Sequence, residues 1–132
     1  MKKVFISYSF TKRKDFEELH NRLKSFLEEK YNFEIYAFVF DYKDNVNDKK
    51  LMEEAFRNID ESDLVMVELS NMSVGVGIEA GYAKAKGKPI VYLHKKGTRL
   101  KEAMNGIVDK VFTYENTEDL IKQISTLKLL QG

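Results

Sequence analysis

The sequence predicts an α/β chain built on a single doubly wound, five-stranded parallel sheet in the order 2-1-3-4-5. Short runs rich in β-branched and aromatic residues alternate with longer charged segments whose apolar residues recur at helical spacing. This alternation runs the length of the chain without a Pro/Gly-rich linker, a low-complexity stretch or an internal repeat. Parallel neighbours need helical crossovers, and those crossovers are right-handed, so five such strands form one sheet covered on both faces.

Val4 to Tyr8 is the first predicted strand, followed by Phe16, Leu19, Leu23, Phe26 and Leu27 at helical spacing in a charged segment. Phe33 to Phe40 reads as the second strand, and Asp41 to Asp48 as a polar loop. Leu51, Met52, Ala55, Phe56 and Ile59 then mark an amphipathic helix. Leu64 to Leu69, apolar except for Glu68, is the predicted central strand, because strands buried on both faces read as continuous apolar runs. Ser70 to Gly77 is a small-residue loop feeding a helix that runs to about Lys86, with Gly87 as its stop. Pro89 to Leu93 and Val111 to Tyr114 complete the strands. Asn116 or Thr117 caps a last helix that places Leu120, Ile121, Ile124 and Leu127 on one face. The expected order is flavodoxin-like. Ligands of such sheets bind beyond the carboxyl ends of the strands where the winding reverses, here between strands one and three.

Composition narrows the chemistry. A chain of 132 residues with 43% hydrophobic residues, nine Phe and seven Tyr fills one core, so one domain over 1–132 is expected. Twenty-two basic against 21 acidic residues leave a net charge of +1, which gives no electrostatic reason to expect nucleic-acid binding. With no cysteine there is no disulfide, thiolate metal site or catalytic thiol, and His20 and His94 are too few and too far apart in sequence to suggest a metal centre. His20 is expected to be exposed on the first helix. The apolar run after Met-Lys-Lys is too short for a signal peptide, and no stretch approaches the ~18 apolar residues of a membrane span. A soluble cytoplasmic protein with no membrane association is the expectation.

The crevice rule points at two loops, Ser7 to Lys14 and Ser70 to Glu79. In the second, Gly75 and Gly77 let the backbone approach a ligand, and the following helix aims free N–H groups at an anion; the same glycines also serve purely structural turns. The spacing is neither a dinucleotide fingerprint nor a P-loop. Glu79, read into the first turn of that helix, has two readings: a carboxylate complementing the helix dipole, or a reactive group at the mouth of the crevice.

The stretch Asp63 to Leu93, with its Ser73-Val74-Gly75-Val76-Gly77-Ile78-Glu79 loop after an apolar strand and its Gly87-Lys88-Pro89 turn, resembles the nucleoside 2-deoxyribosyltransferase family. The likeness is greatest to the 2'-deoxynucleoside 5'-phosphate N-hydrolase branch. The resemblance implies cleavage of the N-glycosidic bond of a nucleoside or nucleoside 5'-monophosphate, by hydrolysis or 2-deoxyribosyl transfer. Glu79 would attack the anomeric carbon to give a glycosyl-enzyme. It implies that Ser73 and Gly75 hold the 5'-phosphate through hydroxyl and N–H donors, that no metal or organic cofactor takes part, and that the protein is a homodimer packed through helices beside the site; Ser7, Tyr8, Ser9 and Gly77 are further substrate-binding candidates.

Three departures from that pattern stand out. Ala55 occupies the position of the branch's helix acid, and Glu54 and Glu53 point about 100 and about 200 degrees away from it around a helix. The segment Leu100 to Gly106, through which a partner subunit brings a serine to the phosphate, offers Glu102, Ala103, Met104 and Asn105, with Asn105 the substrate-binding candidate. The first loop reads Tyr8-Ser9-Phe10-Thr11-Lys12-Arg13-Lys14 in place of a glycine-rich turn, its three basic residues able to meet an anion. Tyr8 and Phe10 suit stacking on a base or packing at the rim, and Asp41 and Asp44 suit sugar hydroxyls or, as favoured, turn caps. The lysine-rich run from Lys84 to Lys101 reads foremost as a solvated face. Val4-Phe5-Ile6-Ser7-Tyr8-Ser9 also resembles the first box of TIR domains, so a TIR-like signalling or NAD-cleaving domain, or a nucleotide-binding module without catalysis, stands as the alternative.

Overall fold

The computed structural model describes residues 2–42, 47–71, 73–99 and 102–131. Five strands, β1 (Lys3–Ser7), β2 (Glu34–Tyr36), β3 (Leu64–Glu68), β4 (Ile90–Lys95) and β5 (Lys110–Tyr114), form one parallel sheet in the order β2-β1-β3-β4-β5. The registers pair Phe5 with Val65, Val67 with Tyr92, and Tyr92 with Val111. Between the strands lie α1 (Glu17–Tyr31), α2 (Phe38–Asp41), α3 (Asp48–Asp60), α4 (Val74–Ala85), α5 (Glu102–Asn105), α6 (Thr117–Ile124) and α7 (Lys128–Gln131). This is the predicted architecture and strand order.

The twofold repeat of strand side chains splits the core into two layers. Val4, Ile6, Leu64, Met66, Val91 and Leu93 face one side, packing with Leu19, Leu23 and Leu27 of α1 and Leu120 and Ile124 of α6. Phe5, Val65, Val67, Ile90 and Tyr92 face the other, against Ile59 of α3 and Val76, Ala80 and Ala83 of α4. The alternation therefore sends Ser7 toward α4 and Tyr8 toward α1. Helix ends follow the local chemistry. Asn47 Oδ1 accepts from Lys50 N (3.0 Å), Asn116 Oδ1 accepts from Asp119 N (2.8 Å), and Asn32, at φ 57, ends α1 in the left-handed conformation. Gly87, at φ 71, ends the α4 segment where a side chain would be strained.

The second strand is shorter than its apolar run. Ordered pairing with β1 covers three residues, and Phe38–Asp41 turn into a helix because Asp41 Oδ2 accepts from Ala37 N (2.7 Å), so a side chain satisfies a donor the ladder would have used. Asp41 is thus a cap, the favoured alternative, while Asp44 lies outside the described residues. The helix after β3 begins earlier than its composition suggests: Ser73 is its N-cap, so Gly75 and Gly77 are helical rather than loop residues. The lysine-rich run is a solvated face whose Lys88 donates to Asp60 O (2.9 Å) and whose Lys96 pairs with Glu115 (3.0 Å).

Glu68 is fully buried at the carboxyl end of the central strand. Ser70 donates to it through its N–H (2.5 Å) and hydroxyl (2.9 Å), and the Tyr114 hydroxyl donates a further bond. Burial pushes its carboxyl above the ordinary range, and the Tyr114 and Ser70 donors pull it part of the way back. Tyr114→Phe removes one donor from a fully buried acid. The expected loss is about 2 kcal/mol, read as a lowered urea midpoint at unchanged slope; a loss below about 0.5 kcal/mol would show that the Ser70 bonds suffice.

Candidate active site

The crevice between β1 and β3 holds a cavity of about 280 Å³ lined by Tyr8, Phe10, Phe38, Leu51, Ser73 and Glu79, among others. Its carboxylate comes from α4. Glu79 is the sixth residue of that helix, in its second turn rather than its first, which weakens the dipole-complement reading, since that effect fades beyond the first turn. It is 8% exposed, and Ser7, turned toward α4 by the strand alternation, donates a hydrogen bond to its Oε1. Removal from water pushes the Glu79 carboxyl up to about 7, against which the Ser7 bond works downward. A carboxyl poised there is half ionised near neutrality, as perturbed groups at functional sites commonly are.

Tyr8 forms one wall. Its ring stacks on Phe16 (5.5 Å between centroids) and meets Phe40 and His20 edge-on, and its hydroxyl lies 3.1 Å from His20 Nδ1. His20 is 3% exposed, contrary to the exposed position its charged neighbours suggest, because it turns inward to stack on Phe40 at 4.6 Å. Desolvation lowers its imidazole to about 4, so it stays neutral near pH 7. Phe10, 57% exposed, carries the Arg13 guanidinium over its ring at 4.0 Å and so sets a positive charge beside the mouth. At the other edge Ser73 Oγ lies 3.5 Å from Val76 N, and the N-terminal amides of α4 open beside it. The contribution of Gly75 is space: a side chain built there meets nothing within 4 Å, so it would project into open volume beside a residue that lines the cavity.

The structure therefore brings together Ser7, Tyr8, Ser73, Gly75 and Glu79. Ser9 is buried and bonded to Thr11 (3.2 Å) rather than lining the cavity. Gly77 lies within α4 and its N–H donates to Ser73 O (3.2 Å), a helical bond rather than a ligand contact. Asn105 is exposed on α5, outside the residues that line this cavity. Sequence reasoning missed Phe38 and Val39, hidden in an apolar run read as strand. It also placed Leu51 and Met52 in the core, since their helical spacing serves a cavity wall equally well. A larger cavity of about 460 Å³ opens nearby, lined by Asp15, Ser70, Lys95 and Tyr114 among others. The smaller one is the better candidate because the buried carboxylate of Glu79 itself lines it, whereas the buried Glu68 does not line the larger one.

The chain is similar to known proteins over most of its length. A family model described as nucleoside 2-deoxyribosyltransferase matches residues 6–123. A protein of Thermofilum pendens, provisionally named 2'-deoxynucleoside 5'-phosphate N-hydrolase 1, is 24% identical over 94 residues, which are 67% of this chain and 66% of that protein's length. Among solved structures, the CMP N-glycosidase of Clostridium botulinum superposes with a TM-score of 0.74 at 22% identity, covering 96% of this chain and 100% of that one. The 2-deoxyribosyltransferase of Bacillus psychrosaccharolyticus superposes at 0.68 with 11% identity and 90% of each chain covered, and shares the fold. The match of the family model over residues 6–123 places the chain in the nucleoside 2-deoxyribosyltransferase family.

Proposed function

We propose that this protein cleaves the N-glycosidic bond of a nucleoside or nucleoside 5'-monophosphate, with Glu79 as the nucleophile. The observation that carries the reading is the buried Glu79 carboxylate held by Ser7 at the wall of a nucleoside-sized cavity. Ser7 occupies Oε1, which fixes the carboxyl plane and leaves Oε2 to attack the anomeric carbon. Attack forms the C1'–O bond as the C1'–N bond breaks; water or an acceptor base then releases the sugar, so configuration is retained. The aromatic walls from Tyr8, Phe10 and Phe38 suit a base, and the start of α4 with Ser73 suits a 5'-phosphate. Family membership and the N-hydrolase name of the Thermofilum relative support the same reaction class.

The test is base release followed by chromatography across ribo- and deoxyribonucleosides and their 5'-monophosphates, with and without an acceptor base. Release from monophosphates alone is the expected result for a hydrolase of nucleotides, and base exchange on unphosphorylated nucleosides marks a transferase. A panel that also includes nucleotides with a cationic base and still yields no free base and no exchange overturns the reading.

A further inference from the structure

The N-glycosidic reading, on which this inference rests, requires a route for the base to leave. A neutral base departs with the electron pair of the C1'–N bond as an anion unless an acid protonates it, and a placed acid is worth roughly 10²–10⁴ in rate. Among the described residues lining the cavity, Glu79 is the one charged side chain. Tyr8 is the other titratable one, and its hydroxyl is engaged with His20 on the α1 side while burial raises its phenol far above neutrality. Thr11 and Ser73 offer alcohols, which do not donate a proton outright at neutral pH. On α3, whose Leu51 and Met52 form part of the wall, Ala55 is buried and carries no acid.

The same cavity is electrostatically incomplete in a second, independent way. Glu79 is taken out of water, yet the structure gives it one neutral hydroxyl and no cation among the described residues, and buried carboxylates are ordinarily paired. Rings of Tyr8, Phe10 and Phe38 line the space it faces and offer apolar surface to a planar base, one face of Phe10 being already covered by the Arg13 guanidinium. A positive charge in the bound base answers both deficits at once.

We infer that the Glu79 cavity takes nucleotides whose base is cationic at the glycosidic linkage, a pyridinium or an N7-alkylated purinium. The step balances without a proton donor. A Glu79 oxygen bonds to C1', the C1'–N pair passes to the ring nitrogen, and the base changes from cation to neutral molecule as it leaves. Water then attacks C1', the ester C–O pair returns to Glu79, and one proton goes to solvent. The base cation also favours the ionised form of Glu79 in the bound complex, as an opposite charge within a few ångströms does.

The experiment measures kcat/KM for nicotinamide mononucleotide and 7-methylguanosine 5'-monophosphate against GMP, dGMP, CMP and dCMP. Each is divided by its uncatalysed rate in the same buffer and followed from pH 5 to 9. Expected are a normalised preference of roughly 100-fold or more for the cationic bases and, for nicotinamide mononucleotide, whose pyridinium has no ring proton to lose, a pH profile with one rising limb, from Glu79, and no falling limb from a general acid. Neutral-base nucleotides cleaved with equal or greater normalised efficiency and a bell-shaped profile overturn the inference while leaving the N-glycosidic reading intact. Absence of base release from every compound overturns both. Titration of the inactive Glu79→Gln variant with 7-methylguanosine 5'-monophosphate and with GMP adds a binding readout. The variant is expected to lose the wild type's preference for the cationic ligand, and a preference kept in full counts against Glu79 as the partner of the charge.

Discussion

Glu79→Gln is expected to lower base release by at least about 10³-fold while leaving the chain folded, because under the proposed mechanism it deletes the nucleophile and little else. Gln keeps the volume of the side chain and an oxygen that accepts from Ser7, so the packing of α4 on β1 is preserved. What is lost is the negative charge that forms the C1' bond and stabilises positive charge building on the sugar ring. Circular dichroism and a melting curve establish the fold, and single-turnover base release gives the rate. A second variant separates nucleophile from bystander. Glu79→Ala opens space at C1', and added azide is expected to restore base release and to yield a glycosyl azide, since a small anion then takes the place of the missing carboxylate. Glu79→Gln retaining more than about a tenth of wild-type activity would move the chemistry to another residue.

The fold was legible because strand and helix periods were clean where burial is complete. Leu64 to Glu68 and Ile90 to Leu93 are buried on both faces and read as continuous apolar runs. Legibility ended where one residue type serves two purposes. The run from Phe33 to Phe40 is apolar apart from Glu34, but its second half leaves the sheet once Asp41 captures the Ala37 amide, a side-chain choice that composition does not reveal. Gly75 and Gly77 look like loop residues because glycine favours turns, yet Ser73 starts the helix before them and the value of Gly75 is the volume it leaves empty. His20 sits among charged neighbours in sequence and is nonetheless inside, because Phe40, distant in sequence, supplies a ring to stack on. The Ser7–Glu79 bond links β1 to α4 across 72 positions and follows only once strand order and side-chain alternation are both known.

The same carboxyl that makes Glu79 reactive is expected to cost stability as pH rises, and the sign follows from linkage. Its folded-state pKa, about 7, lies above the ordinary 4.5 that the unfolded chain would show, so the folded protein binds the proton more tightly between those values. Stability from this group is full below about 4.5 and lost as pH climbs through about 7, amounting to about 3 kcal/mol over the interval. His20 acts in the opposite direction. Burial lowers its folded pKa to about 4, so its contribution is present above the ordinary 6.5 and lost as pH falls toward 4. The two trends nearly cancel between pH 4.5 and 6.5, and the wild-type profile alone therefore hides both. The difference between Glu79→Gln and wild type cancels the His20 contribution, which is common to both proteins, and isolates Glu79. Urea unfolding at several pH values is expected to show the variant gaining on the wild type by about 3 kcal/mol from pH 4.5 to 7 and holding that advantage above it. Base release by the wild type should rise over the upper part of this range, since ionisation creates the nucleophile while it destabilises the fold. A stability difference that does not change with pH would mean that Glu79 is ionised at its ordinary pKa, and that water or an unrecognised cation reaches it in the folded protein.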